Sequence, residues 1–125
     1  MDELHEVARL PETTAECEEG PVIEFRFGKA TVWYDTEGEQ GAKWTSVTFL
    51  GAVATRTTPD PAVSEQMVKA YSKVCVFNDS SWLSKLRSRG EAAGLAYGTI
   101  LRHYLIYFDH HGCIEIAATD FTIGE

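Results

Sequence analysis

The stretch from Thr99 to Phe121, TILRHYLIYFDHHGCIEIAATDF, constrains the chain more than any other. Two apolar runs flank Asp109-His110-His111-Gly112, a pattern that predicts a β-hairpin. With the turn at 109–112, Phe108 pairs with Cys113, Tyr107 with Ile114 and Leu105 with Ile116. One face then carries His103, Leu105, Tyr107, Ile114, Ile116 and Ala118. The other carries Tyr104, Ile106, Phe108, Cys113, Glu115 and Ala117. Both faces are largely apolar, whereas a sheet wet on one side alternates. The second face, and Tyr104, Ile106 and Phe108 in particular, therefore needs a cover. An N-terminal arm, a second protomer or a protein partner would supply one.

Upstream, Ile23, Phe25 and Phe27 alternate with Glu24 and Arg26 as a half-buried strand does. Gly28-Lys29 suits a tight turn, and the return strand spans Ala30–Asp35. Thr36–Ala42, glycine-rich and acidic, reads as an exposed loop. A third strand covers Lys43–Arg56, with Gly51 inviting a bulge or bend. Val63, Met67, Ala70, Tyr71 and Val74 then recur at helical spacing, capped by Asp60 and ending near Phe77. A second helix starts at Asp79 or Ser80, buries Trp82, Leu83 and Leu86, and stops at Gly90. Glu91–Gly98 is a connector. The expected fold is α+β: one antiparallel sheet of about five strands, in the order β-β-β-α-α-β-β, with both helices on one face.

Charge divides the chain. Of the net −8, residues 1–20 contribute −6, with seven acids against Arg9 alone, and the body is nearly balanced. Residues 1–20 read as an acidic arm, with a short helix over 2–10 ended by Pro11 and a linker after it. Residues 21–125 read as a single domain. Acid repels phosphate backbones, so nucleic acid is not the expected partner. No run approaches the ~18 apolar residues of a membrane span. The cysteines Cys17, Cys75 and Cys113 are odd in number, with no CxxC, which points to a reduced, cytoplasmic setting.

The candidate sites each have a plainer explanation. Zinc needs three or four converging ligands, and adjacent His110 and His111 diverge, while Asp109 and Gly112 already have turn roles. His110, His111 and Cys113 are therefore read as turn and strand residues, with no metal and no cofactor. A carboxylate such as Glu115 beside His103 would tune that imidazole for proton transfer. A hydrogen-bonded histidine at the core margin is nonetheless preferred. Ser80-Ser81 are helix-cap residues without a G-x-S-x-G context, and Cys75 and Cys113 are packing thiols. No catalytic residue is assigned. Asp35, Glu37 and Glu39 form an acidic loop able to meet a basic partner.

Ala70-Tyr71 in one helix, Asp79-Ser80-Ser81-Trp82-Leu83 opening the next, and His103-Tyr104-Leu105-Ile106-Tyr107-Phe108-Asp109 followed by Gly112 and Glu115-Ile116-Ala117 form a combination over the last two thirds of the chain. It resembles a loose set of small bacterial proteins of unassigned function, some encoded beside secreted toxins and read as immunity proteins. The resemblance implies a non-enzymatic, protein-binding role, and no catalytic motif accompanies it. The expected function is a cytoplasmic protein-binding domain, an immunity-type inhibitor contacting its partner through Asp35, Glu37, Glu39, Tyr104, Ile106 and Phe108. One alternative is a small-ligand binder or enzyme, with a pocket between sheet and helices lined by Trp33, Tyr71, His103 and Tyr107. Another is a structural homodimer closed through the second hairpin face.

Overall fold

The structure, a computed structural model, describes residues 3–14, 19–26, 28–38, 41–92 and 101–124. Glu39, Phe27 and Cys17 lie outside the described residues, as does most of the 91–98 connector. Among the described residues, nine strands form two antiparallel sheets. These are β1 (His5–Arg9), β2 (Val22–Arg26), β3 (Lys29–Gly38), β4 (Gly41–Leu50), β5 (Ala54–Thr58), β6 (Lys73–Phe77), β7 (Arg102–Phe108), β8 (Gly112–Ala118) and β9 (Asp120–Gly124). The first sheet runs β1-β6-β7-β8-β5 and the second β2-β3-β4-β9. The two helices are α1 (Glu65–Val68) and α2 (Ser81–Ala92), with a 3-10 turn at Asp60–Ala62. The chain is a single small domain, mostly antiparallel sheet with two helices, but more sheet-rich than expected and built on two sheets instead of one.

The sheets pack face to face, as aligned sandwiches do. Ala30, Val32, Tyr34, Val47 and Phe49 from the four-stranded sheet meet Val74, Val76, Tyr104, Ile106, Phe108, Ile114 and Ile116 from the five-stranded one. Tyr34 meets Phe108 edge-on at 5.4 Å between ring centroids, and Phe49 lies 5.3 Å from Tyr104. The second hairpin face is therefore covered from within the chain. Tyr104, Ile106 and Phe108 are core residues, buried to 3% exposure or less, and they are not available to a partner or a second protomer.

Several expected elements change type. The run expected as a long helix yields only four α-helical residues, capped by the Ser64 hydroxyl, which accepts the Met67 N–H. Asp60 makes no cap. Ser72 then takes a positive φ of 54°, and Lys73-Val74-Cys75-Val76-Phe77 continues as β6. Alternation explains this: Val74 and Val76 enter the sandwich core, and Cys75 and Phe77 pack on the other face. The apolar run 74–77 satisfies a strand as well as a helix, and its β-branched residues favour the strand.

Residues 5–9 are a strand instead of a helix, paired antiparallel with β6. Leu10 reaches the core. Thr14 and Ser72 exchange reciprocal backbone-to-hydroxyl bonds of 3.0 and 2.9 Å, and the Tyr34 hydroxyl donates to the Glu12 carbonyl. The start of the acidic segment is thus built into the domain. The expected 43–56 strand is two strands: at Gly51, with φ of 64°, the chain leaves the four-stranded sheet and enters the five-stranded one. The expected loop at 36–42 is mostly strand, since β3 and β4 pair as far as Gly38 and Gly41.

Candidate functional site

The hairpin register sets what the outer face of the five-stranded sheet presents. Phe108 pairs with Gly112, not Cys113, so Tyr107 faces Cys113 and Leu105 faces Glu115. The loop is the three residues Asp109-His110-His111, with His110 at φ of 67° and the His111 N–H donated to the Phe108 carbonyl. Relative to the expected turn, the β8 partners move by one residue. Such a slip exchanges every side chain between faces. Ile114, Ile116 and Ala118 go into the sandwich. Cys113, Glu115 and Ala117 join His103, Leu105 and Tyr107 outside, beneath the helices.

Four elements meet there. His103 (β7) and Glu115 (β8) are diagonal neighbours, and Arg56 (β5) sits directly opposite Glu115. Ser80, immediately before α2, hangs above them. His103 Nε2 lies 2.7 Å from Glu115 Oε1, and His103 Nδ1 lies 2.9 Å from Ser80 Oγ. Arg56 donates two bonds to the carboxylate, from Nε at 2.8 Å and Nη2 at 3.0 Å. Ser80 Oγ also accepts the Leu83 N–H at 3.2 Å, which makes it the helix cap the sequence indicates. Trp82 packs edge-on against the imidazole at 4.8 Å and carries the Arg56 guanidinium on its face at 4.4 Å. Phe77 also packs against the ring, at 5.2 Å between centroids.

His103 and Glu115 are buried, whereas the Arg56 side chain is 47% exposed. Burial pushes the Glu115 carboxyl pKa up, but the hydrogen bonds from His103 and Arg56 outweigh it and hold the value lowered to about 2. Glu115 is thus ionised at neutral pH and acts purely as an acceptor. In the Nε2–H tautomer His103 donates to Glu115, and Nδ1 accepts the Ser80 hydroxyl proton. Chemically this is a carboxylate–imidazole–hydroxyl chain.

The other sequence-derived sites disperse. Trp33 lies on the outer face of the four-stranded sheet, across the whole core from His103. Tyr71 is exposed, and the Tyr107 hydroxyl donates to Asp60 Oδ1 at 2.8 Å. Trp33, Tyr71, His103 and Tyr107 therefore do not line one pocket. Cys75 and Cys113 are free and buried. Desolvation raises their thiol pKa values to about 11 and about 12. Among the described residues no group of three or more His, Cys, Asp or Glu converges as a metal cage. No helix among them is long and apolar enough to cross a membrane.

A second surface has no counterpart in the sequence reading. The outer face of the four-stranded sheet presents Val22, Trp33, Trp44 and Leu50, all between 38% and 53% exposed. Trp33 pairs with Ser46 and Asp35 with Trp44, so the two indoles are diagonal neighbours, roughly 7–8 Å apart at the backbone. A shallow groove of about 260 Å³ beside Trp33 is lined by Glu24, Arg26, Lys29, Thr31, Ser46 and Thr48. Glu37 continues the same face toward the β3–β4 turn. Asp35 shares that face but is only 3% exposed, its carboxylate accepting the Glu19 N–H at 3.4 Å.

No family model, curated protein or solved structure matches the chain.

Proposed function

We propose that the chain is a cytoplasmic protein-binding domain, of the immunity-type inhibitor class that the sequence resemblance implies, and that its partner docks on the outer face of the four-stranded sheet. The observation carrying this reading is the pair of half-exposed indoles, Trp33 and Trp44, side by side on one sheet face. Exposed tryptophans in a cluster of apolar side chains are the residue type that dominates binding energy at protein interfaces. Glu37, exposed at the end of the same face, gives the rim an acid suited to a basic partner. Asp35 is buried and holds the backbone of Glu19, so of Asp35 and Glu37 it is Glu37 that is exposed to make that contact.

The test is a complex between this chain and a secreted toxin encoded next to it. Trp33→Ala combined with Trp44→Ala should weaken such a complex about 100-fold or more, with chain stability changed by no more than about 1 kcal/mol. Glu37→Lys should weaken it further at low salt than at high salt. Unchanged affinity in the double variant would remove this face from the reading. Absence of any complex with the toxin would remove the inhibitor role.

A further inference from the structure

We infer that Ser80 is a nucleophile activated by His103, and that this corner of the five-stranded sheet can accept an acyl group from a small carboxylic ester. The proposal is independent of the docking face, which lies on the other side of the core. It rests on three pieces of geometry. The Ser80 hydroxyl is 2.9 Å from His103 Nδ1, within the reach required of a nucleophile and its base. The opposite ring nitrogen is 2.7 Å from Glu115 Oε1, and Arg56 fixes that carboxylate by two bonds. Ser80 is half-buried and flanked by exposed Asp79 and Ser81, whereas its base, His103, is buried.

Hydroxyl and carboxylate occupy opposite ends of the imidazole, as in serine hydrolases, with the two ring nitrogens exchanged. Such a set is defined by geometry and roles and not by sequence position. Phe77 and Trp82 flank the ring and hold its plane. The N–H groups opening the first turn of α2, at Ser81 and Trp82, have no acceptor within the helix by construction. Donors of this kind are what a developing oxyanion requires.

The step balances without a further reactant. Ser80 Oγ bonds to the ester carbonyl carbon as its proton passes to His103 Nδ1, and the carbonyl electron pair moves to oxygen. Collapse of that oxyanion breaks the bond to the alkoxide, which leaves with the proton from His103. Water then repeats the sequence, returning the acid and a free Ser80. Glu115 is a positioning residue here, setting the tautomer and orientation of the ring.

The full chain is treated with a fluorophosphonate reporter and its adducts are mapped by peptide mass. The expected result is an adduct at Ser80 and none at the neighbouring Ser81 and Ser84. Ser80→Asn keeps a capping side chain and should remain folded without an adduct at this position. His103→Asn should slow labelling about 100-fold or more, the lower range of general-base assistance. If that variant does not fold, the pH profile of labelling in the unaltered chain replaces it. The rate should rise with pH to a plateau, as expected where a base must be free of its proton; the groups that face His103 are Glu115 from β8, Ser80 from the α2 cap and, across the carboxylate, Arg56 from β5. Glu115→Gln should displace that profile. No adduct at Ser80, equal adducts at Ser80, Ser81 and Ser84, a flat profile, or an undiminished rate in a folded His103→Asn chain would each overturn the assignment.

Discussion

Replacing Glu115 by Gln isolates the energy held in the buried network. The substitution keeps the shape and one acceptor for His103, but it removes the charge and turns an amide toward Arg56. The unfolded carboxyl takes up its proton near 4.5 and the folded one only near 2. Between those values the unfolded chain binds more protons, so acid draws the equilibrium toward unfolding. The stabilisation is complete above 4.5 and vanishes as pH falls through 2. At about 1.4 kcal/mol per pH unit, the gap corresponds to about 3 kcal/mol. Three charge-assisted hydrogen bonds, net of the cost of burying a carboxylate, account for an energy of that order. Urea unfolding of both chains at several pH values measures it, because other acid-sensitive groups cancel in the difference. The expected gap is about 3 kcal/mol at pH 7 and pH 5, shrinking to roughly 1.5 kcal/mol at pH 3. A gap of equal size at pH 7 and pH 3, or one under about 1 kcal/mol at pH 7, would refute the account.

Two further outcomes follow from the same structure. Gly112→Ala should cost about 2 kcal/mol or more, because φ is +113° and the added methyl would collide with the Thr58 carbonyl. Gly28→Ala, at φ of +73° with nothing within 4 Å of the new carbon, should cost only about 1 kcal/mol, and equal melting-temperature losses would contradict the packing argument. The Cys75 and Cys113 thiols, raised by burial to about 11 and about 12, should resist iodoacetamide at pH 8 and label only in denaturant. Rapid alkylation of either in the folded chain would show that it is not buried.

How much of this was legible in the sequence depended on how many patterns a segment could satisfy. The β2–β3 hairpin was readable because Ile23 and Phe25 alternate with charged residues and Gly28 supplies the positive φ. Ser80 was readable as a cap because a serine before Trp82-Leu83 has few other roles. β6 was not, since Lys73–Phe77 is too short and too apolar to distinguish a strand from the end of a helix. The second sheet was hidden for a different reason. Gly51 and Thr119 are corners at which a continuous β pattern changes sheet, Thr119 donating from both N–H and hydroxyl to the Leu50 carbonyl. Residue types in an alternating run record which side is buried, not which sheet buries it.

The candidate site was obscured by one residue of register. A four-residue turn at 109–112 sets Glu115 on the face of Tyr104, away from His103. The three-residue loop puts it beside His103 and opposite Arg56. That register follows from Gly112, which must sit where the chain at Thr58 and Pro59 crosses too closely for any side chain, and from His110 taking the left-handed conformation before it. The alternative register would bury an ionised Glu115 in an apolar sandwich, at a cost of several kcal/mol. It would also withdraw Ile114 and Ile116 from the sandwich core that they close as built. The carboxylate that joins Arg56 to His103 and, through it, to Ser80 therefore also selects the pairing of the strands that carry it.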